Sequence, residues 1–366
     1  MINYIMVGAD VHDKDILTKS AYNRGKPIQQ SFNNTPGGTD KMIAALKQQA
    51  RECGNASIVF AYEASFLGFG LYDKLTESGI ECYVLAPTKI ARSSKHRKRK
   101  TDARDASRLL EVVKAHILAG NELPDIWIPD LQTRDDRELV RMRLEVGDKI
   151  TAVKNQTLVL LKRNRFRKPG KTGTNWTKSH RFWLEKSARP ESDLPSGARC
   201  ALNSLIRQLW ALEQEIACLD KQIQELSETP RYAEPVQELV KLKGVGTLTA
   251  MVYLTEMGDL SRFDNRRQIG AYLGLVPSSK ESGGKSDRKG HITHQGSSRV
   301  RKVLCQASWA RVRTDIHEKR VYEGIVERNP KHKNIAVVAS MRRLSIKMWH
   351  QGRKAQSRAG SFAAVA

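Results

Sequence analysis

Four carboxylates occupy positions that a folded chain would bring together. Asp10 and Glu63 each follow an apolar run typical of a buried strand, and Asp102 and Asp105 stand three residues apart at the start of a predicted helix. The spacing of three places the last two on one helical face. Because strand ends in an α/β sheet converge on the edge where active sites tend to lie, we expect the four acids to meet there.

Such a cluster predicts a divalent metal site. Carboxylates held close together repel one another unless a cation lies between them, and their hard oxygen ligands suit Mg²⁺ or Mn²⁺. Bound metal ions can position a phosphodiester and stabilise both its attacking and its leaving oxygen. Taken singly, each acid is more typical of a solvated strand end or helix start; taken together, the four favour a metal centre.

A serine-rich segment after Pro277 offers candidate nucleophiles and phosphate-binding cations. The serines are Ser278, Ser279, Ser282 and Ser286, and the cations are Lys280, Lys285, Arg288 and Lys289. A serine hydroxyl needs activation by a base or by a metal-polarised phosphate, and His291 and His294 are too close in sequence to Ser282 to be assigned as its base. The residues alone therefore select no serine, and a flexible surface loop is the plainer interpretation.

The charge of the chain indicates a polyanionic partner. Its 366 residues carry 63 Lys and Arg against 39 Asp and Glu, a formal net charge of +24. Such an excess is typical of proteins that bind DNA or RNA; a membrane surface is the competing partner, but no basic helix has an apolar face rich in Trp or Leu. A cationic run before Asp102 is predicted to contact nucleic acid, and otherwise to be solvated. Its last four residues are Arg97, Lys98, Arg99 and Lys100.

The element order predicts an α/β domain followed by all-α structure. At residues 1–125, three strands precede a helix, a strand, a helix, a strand and a helix that begins at Thr101. This is the order of a ribonuclease-H-like fold, although many α/β domains share it. The rest predicts a helical, coiled-coil linker at 126–232, a mainly helical C-terminal domain at 233–356 and a tail at 357–366.

Two features of the linker predict partners. The basic segment 162–184 interleaves aromatic rings with Arg165 and Arg167, which suits the stacking of unpaired RNA bases. We expect deletion of this segment to abolish RNA binding while sparing the fold. Between Leu202 and Leu226, apolar residues recur in alternating steps of three and four, which is a heptad repeat. The repeat could join two chains or fold back on the helix predicted at 134–161, and the sequence favours neither.

A glycine turn between two apolar helices predicts a helix-hairpin-helix element at residues 239–257. Lys243, Gly244 and Gly246 are its candidate nucleic-acid contacts, because glycines let a backbone approach a phosphate and the next helix N-terminus offers amide donors. An ordinary αα-hairpin with a glycine turn is the alternative.

Membrane-spanning and disulfide-rich proteins are the classes that the sequence disfavours. No apolar stretch approaches the ~18 residues of a membrane span, and the first residues lack the basic leader, apolar run and cleavage site of a signal peptide. No two of the five cysteines form a CxxC pair, so neither a zinc knuckle nor a disulfide framework is indicated. We expect a cytoplasmic protein with free thiols and no membrane partner.

Together these motifs resemble the DEDD transposases of the bacterial IS110 ("one-ten") insertion-sequence family. The resemblance covers nearly the whole chain. It rests on Asp10 in VGADVHDKD, Glu63 in YEAS, Asp102 and Asp105 in KTDARDA, the KGVG hairpin at 243–246, GLVP at 274–277 and ESG at 281–283.

The resemblance implies a mechanism and partners. Asp10, Glu63, Asp102 and Asp105 would bind Mg²⁺, with Mn²⁺ as the alternative, and Ser282 would attack a DNA phosphate to form a phosphoserine intermediate. It also implies a RuvC-like N-terminal domain, DNA partners at the element ends and the target, a non-coding guide RNA, and a homodimer or homotetramer with composite active sites. Gly284-Lys285 stands where the family commonly has more serine, so Ser286 stays an alternative nucleophile.

Two other function classes are compatible with the same residues. A metal-dependent Holliday-junction resolvase or nuclease would use the acids and water, so Ser282→Ala would leave its cutting intact. A nucleic-acid-binding scaffold with a degenerate catalytic domain would be insensitive to Asp102→Asn, but the presence of all four acids argues against it. We therefore expect a DNA transposase, with the nuclease as the main alternative.

Overall fold

The computed structural model describes residues 3–90, 101–280 and 288–359. The chain divides into two compact units, Met1–Ile128 and Pro129–Ala366. The first contains a five-stranded sheet with helices, and the second is mainly helical. The predicted division into a linker and a C-terminal domain at residue 232 stays a prediction.

One five-stranded sheet organises the first unit. Its strands are β1 (Tyr4–Val11), β2 (Asp15–Tyr22), β3 (Ile28–Asn33), β4 (Ser57–Glu63) and β5 (Glu81–Leu85). They are arranged in the order β3-β2-β1-β4-β5, in which β1, β4 and β5 run parallel while β2 is antiparallel to both of its neighbours. This mixed α/β arrangement is compatible with the expected ribonuclease-H-like fold.

Three helices cover the sheet and give each face its own core. They are α1 (Pro36–Glu52), α2 (Gly70–Glu77) and α3 (Asp102–Ala119). Because side chains alternate along a strand, Ile5 and Val7 of β1 pack with apolar residues of α1, whereas Met6 packs with Val59 and Ala61 of β4 against α3. Even-numbered residues of β1 and odd-numbered residues of β4 therefore face α3.

Helix α3 lies directly against β1 because residue 8 has no side chain. A Cβ atom on Gly8 would lie 2.1 Å from the backbone nitrogen of Leu110 and 2.5 Å from the carbonyl oxygen of Ala106, closer than real Cβ contacts. Glycine at this position is thus required for the observed approach. It holds the helix, and with it the acidic first turn of α3, against the strand that carries Asp10.

Helices dominate the second unit. They are α4 (Leu131–Arg163), α5 (Lys178–Ser187), α6 (Ser196–Ser227), α7 (Ala233–Val240), α8 (Thr247–Met257), α9 (Arg266–Tyr272), α10 (Ser298–Thr314), α11 (Ile316–Arg328) and α12 (Asn334–Ala359), with a two-stranded sheet of β6 (Pro277–Lys280) and β7 (Arg288–Ile292). The largest apolar cluster is centred on α8, whose residues from Ala250 onward are all buried. None of the described helices combines the length and the apolarity needed to cross a bilayer.

The heptad repeat packs within the chain. Leu209 of α6, flanked by Leu205 and Leu212, contacts Ile150 and Val153 of α4 in one apolar cluster. Of the two expected uses of the repeat, the structure therefore shows the fold-back against the helix predicted at 134–161. A role of the repeat in joining two chains stays a prediction.

Two arginines of α4 bind the end of α8. Arg137 donates to the carbonyl oxygens of Thr255 and Glu256 at 2.6 and 3.0 Å, and Arg141 donates to both carboxylate oxygens of Glu256 at 2.7 and 3.2 Å. The last carbonyls of a helix lack intrahelical partners, and cations are favourable there. The long helix α4 is thereby tied to the core of the second unit.

Candidate active site

The first unit brings the four predicted acids to one region. Asp10 is the penultimate residue of β1, Glu63 ends β4, and Asp102 and Asp105 lie in the first turn of α3. The parallel register of β1 and β4 pairs Ala9 with Tyr62, the residues that directly precede Asp10 and Glu63. Both acids belong to the sheet face that α3 covers, so the periodicity of strand and helix accounts for the cluster.

Asp10, His12 and Asp102 form the tightest group. The Nε2 atom of His12 lies 3.2 Å from Oδ2 of Asp10 and 3.4 Å from Oδ1 of Asp102, and one ligand atom from each residue lies within 4.8 Å of the other two. Oδ2 of Asp10 and Nε2 of His12 are buried and make no well-aligned hydrogen bond among the described residues. Buried polar atoms are normally satisfied, so these two atoms, with the more exposed carboxylate of Asp102 beside them, fit a divalent cation.

Glu63 and Asp105 contact a guanidinium instead. An Nη atom of Arg108 lies 2.6 Å from Oε1 of Glu63, and the other lies 3.2 Å from Oδ1 of Asp105. The three side chains are mostly buried, with exposed fractions of 24%, 25% and 17%. A guanidinium is charged at every pH that a protein meets, so Arg108 offsets part of the negative charge permanently. The four acids thus divide into two pairs.

The electrostatics of Asp10 favour cation binding. Burial raises the pKa of its carboxyl above the ordinary value, and the negative charges of Asp105 and Asp102 raise it further, although His12 acts in the opposite direction. A raised pKa means that the ionised carboxylate is destabilised by its surroundings. A positive charge bound beside it would relieve that destabilisation.

His12 and Arg108 are the site residues that sequence reasoning missed. A signal for each was present, because His12 stands two residues after Asp10, just past the end of β1, and residues two apart in extended chain lie on one face. Arg108 stands three residues after Asp105, on the same face of α3. The bond from Arg108 to Glu63 had no such signal, since it spans 45 positions.

The candidate nucleophile and several candidate cations lie outside the described residues. They are Ser282, its alternative Ser286, Lys285 and the run Arg97, Lys98, Arg99 and Lys100. Strands β6 and β7 pair antiparallel up to Lys280 and Arg288. Arg301 donates to the carbonyl oxygens of Leu273 and Gly296 at 3.1 and 3.0 Å.

The glycine hairpin lies between α7 and α8, where the sequence predicted it. Gly244 has a φ of +84°, and a Cβ atom there would lie 2.5 Å from the carbonyl oxygen of Ala307. This glycine therefore has a packing role against α10 that the sequence did not indicate. Gly246 has open space around it and precedes an α8 N-terminus without a side-chain cap. The nucleic-acid contacts of Gly244, Gly246 and the exposed Lys243 stay predictions.

The aromatic rings of segment 162–184 are mostly part of the protein core. Phe166 and Trp183 stack with their centroids 5.7 Å apart, and both pack with Trp176 against a cluster that includes buried Leu184. Phe182 is the exception, with 58% of its surface exposed. The expectation that deletion of 162–184 spares the fold is therefore corrected, because the deletion would remove part of this core.

Comparisons with known proteins find matches in both units. A family model of IS110-type DEDD transposases, described as "Transposase", matches residues 7–165, and one described as "Transposase IS116/IS110/IS902 family" matches residues 236–323. The transposase for insertion sequence element IS1533 of Leptospira borgpetersenii is 30% identical over 270 residues, which cover 72% of this chain and 73% of that protein. Putative transposase y4qE of Sinorhizobium fredii is 32% identical over 252 residues, covering 69% of this chain and 58% of that protein.

Proposed function

The chain belongs to the IS110 family of DEDD transposases, and we propose that it cuts and rejoins DNA phosphodiesters with a serine nucleophile and a metal-binding acidic cluster. The DNA partners would be the ends of an insertion sequence and its target. The observation that carries the proposal is the group of Asp10, His12 and Asp102, in which the buried Oδ2 of Asp10 and Nε2 of His12 lack well-aligned partners among the described residues.

Asp10, His12 and Asp102 would hold the cation, Mg²⁺ or Mn²⁺, with Glu63 and Asp105 beside them. When bound, such an ion supplies Lewis-acid stabilisation of the charge that develops on phosphate oxygens. The protein's own contribution is to hold the carboxylates close together, which the packing of α3 on Gly8 and the Arg108 bridge support.

Ser282 is the proposed nucleophile. Its Oγ would form a bond to phosphorus as the bond from phosphorus to the leaving deoxyribose oxygen breaks, and the hydroxyl proton would pass to that oxygen. A second deoxyribose hydroxyl could then displace the serine and rejoin the strand. The match of residues 236–323 to a transposase family and the GLVP and ESG motifs support this assignment. Ser286 is the alternative.

The cationic residues are proposed to bind the nucleic-acid backbone. The run Arg97–Lys100 precedes α3 and its acids in the sequence. Lys285 stands three residues after Ser282, and Arg288 is the first residue of β7. Lys243 and Gly246 would contact a phosphate at the start of α8. The net charge of +24 supports this interaction in general terms.

A guide RNA is proposed to bind the surface of segment 162–184. Arg165 and Arg167 are exposed there, and the Nζ atom of Lys186 lies 5.3 Å from the centroid of the exposed Phe182 ring. An exposed ring with neighbouring cations suits the stacking of an unpaired base.

A homodimer or homotetramer with composite active sites is proposed on the family resemblance.

Strand cleavage tests the proposed chemistry. The full chain would be incubated with labelled element-end DNA, flanking RNA and Mg²⁺, beside the variants Asp10→Asn and Ser282→Ala. Asp13→Asn is the matched control, because it removes an exposed carboxylate three residues from Asp10. We expect both site variants to lose cleavage and the control to retain it. Cleavage by Ser282→Ala would instead support the nuclease.

A further inference from the structure

Arg108 bridges two of the four acids in the cluster. Its two Nη atoms contact Glu63 at 2.6 Å and Asp105 at 3.2 Å. The remaining two acids, Asp10 and Asp102, are the ones that His12 contacts. Two-metal phosphoryl-transfer sites use shared carboxylates to hold both ions a few ångströms apart. Here one pair of carboxylates already has a cation that belongs to the chain.

We propose that Arg108 acts as a built-in cation, so that the active site binds one divalent ion, at Asp10, His12 and Asp102, rather than two. The inference rests on the proposed function, because it assigns the division of labour within the same metal-dependent site. It makes Arg108 a positioning residue for Glu63 and Asp105.

The chemistry of the guanidinium suits this role. It remains protonated where lysine or histidine could lose a proton, and its planar fork donates to two acceptors in fixed directions. Arg108 stands one turn after Asp105 on α3, so the helix itself sets the distance between them. The helix is in turn held against β1 at Gly8. The cation is therefore present before any metal ion binds.

The charge balance is compatible with a single ion. Four carboxylates, one guanidinium and one divalent ion leave one net negative charge when His12 is neutral, whereas a second divalent ion would make the net charge positive. It would also have to compete with Arg108 for the oxygens of Glu63 and Asp105 that accept from the guanidinium.

Counting bound Mn²⁺ tests the proposal without reference to activity. The full-length protein, stripped of metal, would be titrated with Mn²⁺, and the free ion would be measured by electron paramagnetic resonance. We expect one tightly bound ion per wild-type chain and two in Arg108→Met, where the Glu63 and Asp105 carboxylates become available. Arg108→Gln provides a second variant that loses the charge but keeps a hydrogen-bonding group, and it is also expected to bind two.

Lys114→Met is the matched control, because it removes a cation of the same helix that pairs with Glu111, which is not one of the four acids. It should bind one ion, as should Arg108→Lys, which keeps the charge. Two ions on the wild type would overturn the proposal while leaving a metal-dependent transposase intact. One ion on both neutral variants would also overturn it and would reduce Arg108 to an ion pair that stabilises the fold. No bound Mn²⁺ on any form would overturn the proposed function as well.

Discussion

Substitution of Gly8 by alanine is expected to disable the active site from within the core. The added Cβ atom would lie 2.1 Å from the backbone nitrogen of Leu110, whereas ordinary contacts begin at 3.4 Å. Helix α3 would therefore have to retreat from β1 by about 1 Å, since backbone atoms cannot rotate away as side chains do. The same retreat would carry Asp102 and Asp105 away from Asp10.

The size of both effects follows from this displacement. Overpacking of a rigid core contact costs up to about 3 kcal/mol of the free energy of unfolding, and we expect Gly8→Ala to lie at that end of the range. A misplacement of about 1 Å in a catalytic group lowers the rate roughly 100-fold. DNA cleavage by Gly8→Ala should therefore fall by about two orders of magnitude under conditions in which the variant is still folded.

Urea unfolding followed by circular dichroism, together with strand cleavage in Mg²⁺, measures the two effects separately. Gly37→Ala is the control, because a Cβ atom at that helical position meets nothing within 4 Å. Its stability should stay within about 1 kcal/mol of wild type or rise slightly. Wild-type stability and cleavage in Gly8→Ala would refute the reasoning, because they would show that α3 does not need its close approach to β1.

Three further predictions concern the second unit. Burial alone would raise the pKa of Glu318, but three neighbouring cations lower it to about 2. Its ion pairs therefore stabilise the fold by about 3 kcal/mol above pH 4.5, and this contribution is lost as pH falls towards 2. Urea unfolding of Glu318→Gln at pH 7 should show that loss of stability, and an equal deficit at pH 2 would contradict the reasoning. Gly244→Ala should lower the free energy of unfolding by about 2 kcal/mol, because Gly244 has a positive φ and lies against α10. Gly246→Ala should keep wild-type stability and weaken DNA binding, measured by fluorescence anisotropy. Phe182→Ala should lower RNA affinity by ~1–3 kcal/mol at unchanged Tm, while Trp183→Ala should lower Tm; the reverse pattern would locate the RNA elsewhere.

The sheet and the acidic cluster were predictable because their signals are local. Buried strands such as β1 and β4 are read from continuous apolar runs, and the acids at their ends stand out against those runs. The spacing of Asp102 and Asp105 places them together on any helix. The structure confirms the predicted order of strands and helices in the first unit.

Contacts between separate elements were beyond the reach of local patterns. The contact between Arg108 and Glu63 depends on how α3 packs on β4, which no spacing encodes. The heptad repeat of α6 buries the same side chains whether its partner is α4 or a second chain, so its periodicity could not decide between them. Composition likewise treats Trp183 and Phe182 alike, although the first is packed and the second is exposed.

Trapping of a covalent protein–DNA adduct tests the central claim most directly. The full chain would be incubated with Mg²⁺, element-end DNA and flanking RNA, resolved on a denaturing gel, and the modified peptide would be mapped by mass spectrometry. The account predicts an adduct on Ser282 that is absent from both Ser282→Ala and Asp102→Asn. Cleaved DNA without any adduct, persisting in Ser282→Ala, would contradict it and would show that the acids act with water alone.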